Sequence, residues 1–110
     1  MKAEIVFVNE KLKQAFDKLK DSKTEDKQLY ELLKRAFEDI EKNTSGFIHV
    51  PKNLIPKEYV RKYGIDNLWK YDLPKGWRLL YTVTTDNEVE LISAILDWFD
   101  HKDYEKKFKY

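Results

Sequence analysis

Apolar and polar residues alternate between two periods along this chain, and the change of period divides it. Ala3–Val8 (AEIVFV) is a run of β-branched and aromatic residues and predicts a first strand. Asn9 follows as a helix N-cap, and Leu12, Ala15, Phe16 and Leu19 then recur at i, i+3, i+4 and i+7. That spacing predicts a short amphipathic helix with lysines on its outer face. Ser22–Glu25 (SKTE) reads as a capping box that opens a second, longer helix. Its stripe is Leu29, Leu33, Ala36, Phe37 and Ile40, and Gly46 is expected to end it in the left-handed conformation. So few residues separate the two helices that they should form an antiparallel hairpin.

Residues 47–67 show no clear period. A short helix is expected within IPKEYVRKYG, with Pro56 in its first turn and Gly64 just past its end. Beyond Asn67 the period becomes two. In Leu68–Leu73, Leu68, Lys70 and Asp72 share one side while Trp69, Tyr71 and Leu73 share the other. Pro74–Gly76 makes a turn, Trp77–Thr84 a second strand, 85–88 (TDNE) another turn, and Val89–Phe99 a last strand. The polar segment that follows, DHKDYEKKF, predicts a terminal helix. The order is β-α-α-β-β-β-α: an α+β fold, one domain over 1–110, with an antiparallel sheet and the helical hairpin on one face. The aromatic and apolar positions Trp77, Leu79, Tyr81 and Val83 belong under the helices. Arg78, Leu80 and Thr82 should then point to the other face, which is expected to stay at least partly open.

Composition narrows the function without deciding it. The 110 residues are 42% hydrophobic with 3 Trp, 7 Tyr and 6 Phe, enough for one core. With 21 bases against 20 acids the net charge is +1, which lacks the basic excess usual in nucleic-acid binders. The absence of cysteine excludes disulfides, thiolate metal sites and a Cys nucleophile. No apolar run reaches the ~20 residues of a membrane span, and the first residues lack a signal-peptide core, so a cytoplasmic protein is expected. The glycines, 46, 64 and 76, lie too far apart for a phosphate loop, and two histidines without cysteine suggest no metal or other cofactor. His49 reads as structural.

The stretch KGWRLLYTV, with HKDY beyond the last strand, resembles the C-terminal half of the RelE/ParE toxin superfamily. In that family a strand, a glycine-containing turn and a strand beginning aromatic-Arg-hydrophobic-hydrophobic-Tyr precede a further strand and a His-, Lys- or Arg-bearing tail. The resemblance covers most of the chain and is carried by residues 68–108. It implies a small microbial-RNase-like α+β fold and a toxin neutralised by a cognate antitoxin. In the RelE branch the activity is metal-independent cleavage of mRNA on the ribosome; the ParE branch inhibits DNA gyrase without cleaving RNA. No small-molecule ligand or membrane partner is implied.

Carried over residue by residue, Arg78 matches the catalytic arginine, whose planar fork suits two phosphate oxygens. It can equally pair with Asp72 across the hairpin. His101 matches a tail position suited to proton transfer near neutral pH, or it is a solvated residue between Asp100 and Asp103. Tyr104 either stacks on a base or donates a proton, or packs on the sheet. Lys70 matches a phosphate-binding lysine of the strand. Lys75, Lys102 and Lys52 complete the expected RNA-binding set, with Lys57, Arg61 and Lys62 as a further basic flank that can also be an ordinary solvated face. Asp72 departs from the pattern: it stands where ribonuclease members carry a second lysine, as a possible base or as the charge that neutralises Arg78. A protein-interaction domain without catalysis remains the alternative.

Overall fold

The computed structural model describes residues 3–44, 46–87 and 90–99. Strand β1 (Glu4–Phe7) leads into α1 (Glu10–Lys20) and α2 (Thr24–Lys42). A two-residue strand β2 (Ile48–His49), a 3-10 turn (Lys52–Leu54) and a short helix α3 (Lys57–Tyr63) follow. Strand β3 (Trp69–Asp72), a 3-10 turn (Pro74–Gly76), β4 (Arg78–Asn87) and β5 (Glu90–Phe99) complete the described chain. The strands form a five-stranded sheet in the order β1-β5-β4-β3-β2. The fold is α+β, with a helical hairpin against one face of the sheet.

Local chemistry accounts for the element ends. Asn9 caps α1 as expected: its side-chain oxygen accepts from the Leu12 amide at 2.9 Å. Gly64 ends α3 in the left-handed region at φ 65°, and Pro56 stands just before its first turn. The residue that caps α2 is not Ser22, as the expected capping box requires, but Lys23. Lys23, which offers no acceptor, precedes the first residue of α2, and the Ser22 hydroxyl donates instead to the Lys18 carbonyl at 2.7 Å, closing α1. Ser22 stands one residue before the N-cap position that would aim its oxygen at the orphan amides of α2. Gly46 likewise does not supply the left-handed stop: α2 ends at Lys42 with Asn43 as its C-cap, and positive φ among the glycines falls at Gly64 and Gly76.

The sheet is not wholly antiparallel. β2, β3, β4 and β5 pair antiparallel in sequence, but β1 lies parallel to β5, with Val6 opposite Ala94. A hydrophobic run identifies a strand and not its neighbour, and the long connection through two helices allows the chain to return in the same direction. β4 also outruns the expected turn, since Thr85–Asn87 still belong to the strand. The expected terminal helix lies outside the described residues.

The second departure concerns the face expected to be open. On the helical side, Phe16, Leu29, Leu33, Ala36 and Ile40 pack against Leu73, Leu79 and Tyr81. On the other side a second cluster joins Val50, Ile55, Tyr59, Ile65 and Leu68 to Leu80. Leu79 and Leu80 are both fully buried, one in each core. The segment from Val50 to Leu68 is therefore a second layer that covers much of the opposite face, because a fully bare apolar Leu80 would forgo about 1.5–3 kcal/mol of burial. Among the described residues no helix is long and apolar enough to cross a membrane.

Candidate functional site

The turn at Pro74–Gly76 brings β3 back on itself and sets the candidate site. Lys75 and Gly76 both adopt left-handed backbone, with φ 66° and 82°. This reverses the chain within one short turn, and the Leu73 amide donates to the Trp77 carbonyl at 2.8 Å. Asp72 then stands directly opposite Arg78, and Phe99 opposite Arg78 on the far side. One row away Ile48, Lys70 and Leu80 align, with the Asp97 backbone opposite Leu80. Because strand residues alternate, Arg78 and Lys70 lie on the face away from the helical hairpin, as the alternation predicts.

Arg78 is held rather than loose. Its Nε lies 3.0 Å from Oδ1 of Asp72, with the two side chains 16% and 48% exposed. Its Nη1 donates to the Trp77 carbonyl at 3.2 Å, the same oxygen that closes the turn. A guanidinium fixed by a carboxylate and a carbonyl is oriented before any ligand arrives, which is what stabilisation of a developing anion requires. The same carboxylate also offsets the charge. Of the two expectations for Arg78, this geometry is the cross-strand pair with Asp72.

The remaining candidates separate. Lys70 is half-buried one row from Arg78. Lys52 is exposed on the 3-10 turn of the second layer. Lys75 does not join them: its Nζ donates to the side-chain oxygen of Gln28 on α2 at 3.3 Å, so it belongs to the helical side. There it lines a shallow groove of about 570 Å³ with Gln28, Glu31, Lys34, Arg35 and Glu38, a rim of both signs. His101, Lys102 and Tyr104 lie outside the described residues. No cluster of three or more His, Asp or Glu side chains with metal-ligand geometry occurs among the described residues. His49 packs on Trp69 with ring centroids 4.6 Å apart at the sheet edge.

Two positions that the sequence pattern does not single out support this arrangement. The Asn67 side chain completes the ladder just before β3 begins: its oxygen accepts from the Val83 amide at 2.9 Å and its nitrogen donates to the Val83 carbonyl at 3.0 Å. The Thr82 hydroxyl donates to the Asn67 carbonyl at 2.8 Å. Behind the site, the buried Tyr81 hydroxyl donates to the Thr44 carbonyl at 2.8 Å, and burial pushes its pKa well above the usual tyrosine value. An asparagine before an alternating run was the available signal, but its commoner meaning is a turn.

Comparison with protein-family models, with curated proteins and with solved structures gives no match.

Proposed function

We propose that this chain is a toxin of the RelE/ParE type that cleaves messenger RNA on the ribosome and is restrained by a cognate antitoxin in the cytoplasm. The observation that carries the reading is the oriented guanidinium of Arg78 at the start of β4, on the face away from the helices, with Lys70 in the next row. In the proposed reaction the ribose 2′-oxygen attacks the adjacent phosphorus. The P–O2′ bond forms, the P–O5′ bond breaks, and a 2′,3′-cyclic phosphate and a 5′-hydroxyl result. Arg78 stabilises the crowded phosphorane through charge-assisted hydrogen bonds. His101 or Tyr104 moves the proton between the attacking and leaving oxygens. Lys70, Lys52 and Lys102 contact flanking phosphates. Asp72 orients Arg78 in this scheme.

Induction of the chain in cells should arrest protein synthesis, and primer extension should reveal cuts in ribosome-bound messages. Removing one preorganised donor for a developing anion costs about 10²–10³ in rate, so Arg78→Ala should slow cleavage by that order and relieve the arrest. Equal arrest by the Ala variant, with the same cuts, would remove Arg78 from the chemistry and end the reading. The 3.0 Å pairing with Asp72 favours a second reading, in which the partly neutralised site binds protein rather than phosphate, as in a ParE-like gyrase inhibitor. Inhibition of DNA supercoiling by the purified chain, without message cleavage, selects it.

A further inference from the structure

The second layer presents an unusual surface. Among the described residues, the large hydrophobic side chains that stand exposed are Ile48 at 49%, Leu54 at 37% and Val60 at 45%, and all three lie on the stretch between β2 and α3. The same stretch carries the exposed cations Lys52, Lys57, Arg61 and Lys62 against a single acid, Glu58. A local excess of three positive charges therefore sits on a chain whose net charge is only +1. In α3, Lys57, Val60 and Arg61 fall at i, i+3 and i+4 and share one face, while Tyr59 turns into the core beside Leu80. Ile48 stands opposite Lys70 in the sheet, so the apolar and basic positions meet at the edge of the layer as well.

We propose that this layer is a docking surface for an acidic protein segment with aliphatic anchor residues. Exposed aliphatic side chains interleaved with cations fit a partner that brings apolar contacts and carboxylates together. RNA fits less well. Single-stranded RNA is gripped by aromatic rings on which bases stack; Tyr59 and Tyr63 are packed against the layer's own cluster, and the exposed ring of His49, next to Ile48, is already stacked on Trp69. The inference does not depend on RNA cleavage and holds for a chain with no catalytic activity.

The test uses the full chain and three fluorescent probes. One is a synthetic helical peptide with leucines at i, i+3, i+4 and i+7 and glutamates elsewhere. The second has lysine for every glutamate, and the third is oligouridylate RNA. The acidic peptide should bind saturably and lose affinity as salt is raised, and the lysine peptide should not bind. The double variants Leu54→Ser/Val60→Ser and Lys57→Glu/Arg61→Glu should each weaken binding by about tenfold or more. The second pair changes only exposed charged positions, so it decides the matter if the first loses its fold by circular dichroism. Failure of the acidic peptide to bind, or binding indifferent to the variants that fold, overturns the proposal. So does binding of oligouridylate alone, weakened by the charge reversal and untouched by the serine substitutions.

Discussion

Single side chains in this protein do several jobs that their identities announce only in part. Asn9 is a cap by position and a cap in fact. Ser22 carries the same signal, but its hydroxyl serves the helix behind it and the N-cap of α2 falls one residue later, a matter of where the first turn begins that a four-residue motif does not encode. Arg78 was legible as a cross-strand partner of Asp72 and as a residue of the non-helical face, and both hold. Its 16% exposure was not legible, since alternation gives the face a side chain takes and not how far that face is covered. Tyr71 shows how such contacts couple to pH. Burial, the hydrogen bond its hydroxyl donates to Asp39 at 2.7 Å and the Asp39 charge push its pKa up to about 12, against a smaller opposing pull from Arg35. A tyrosine whose folded pKa exceeds its unfolded value of ~10 contributes fully below pH ~10 and loses that contribution as pH rises through ~12, because the unfolded chain ionises first. The urea midpoint should therefore fall between about pH 9 and about pH 11.5, and less steeply in Tyr71→Phe. Tyr81, shifted in the same direction, leaves the variant with a residual slope. A slope identical to that of the parent chain would show that Tyr71 ionises alike in both states.

At the scale of elements, the two helices were readable because each repeats one stripe over several turns. Leu33, Ala36 and Ile40 of α2 are all fully buried. The alternation of β3 and β4 was readable for the same reason, since the odd positions on either side of the turn, Trp69, Tyr71 and Leu73 and then Trp77, Leu79, Tyr81 and Val83, face the helical core. The two-residue β2 is too short to show any period, and the parallel docking of β1 on β5 leaves no trace in either strand. The least visible element boundary is the one made by Asn67, whose amide replaces a strand residue opposite Val83. Asn67→Ala leaves the Val83 amide and carbonyl partly buried without those partners. The expected loss is about 1–3 kcal/mol in urea unfolding, with faster hydrogen exchange at the Val83 amide than at amides in the middle of β4. Unchanged exchange at Val83 would mean that water or a neighbouring backbone group replaces the side chain at no cost.

For the whole molecule, the decisive fact is that β4 is sandwiched: Leu79 faces the helical hairpin and Leu80 faces the second layer, both with no exposure. The apolar residues that build the second layer, at 50, 55, 59, 65 and 68, follow neither a period of two nor one of 3.6, so pattern reading finds the short helix between Pro56 and Gly64 but not the layer it belongs to, and leaves the face beneath it at least partly open. What survives of the expected site is its address, and what changes is its setting, from bare sheet to the rim of a small core. That setting makes a claim about cooperativity. If the second layer is part of the same folding unit, Leu80→Ala should cost as much as Leu79→Ala, about 2–5 kcal/mol each by lost transfer energy and the cavity left behind. Both variants should then unfold in one transition by circular dichroism and by tryptophan fluorescence, because neither core can open while β4 stays paired to β3 and β5. A Leu80→Ala chain that loses much less, or whose two probes separate, would instead describe a layer that detaches from an intact sheet. The face carrying Arg78 and Lys70 would then be uncovered without unfolding the hairpin core, and access to it would depend on the stability of the layer.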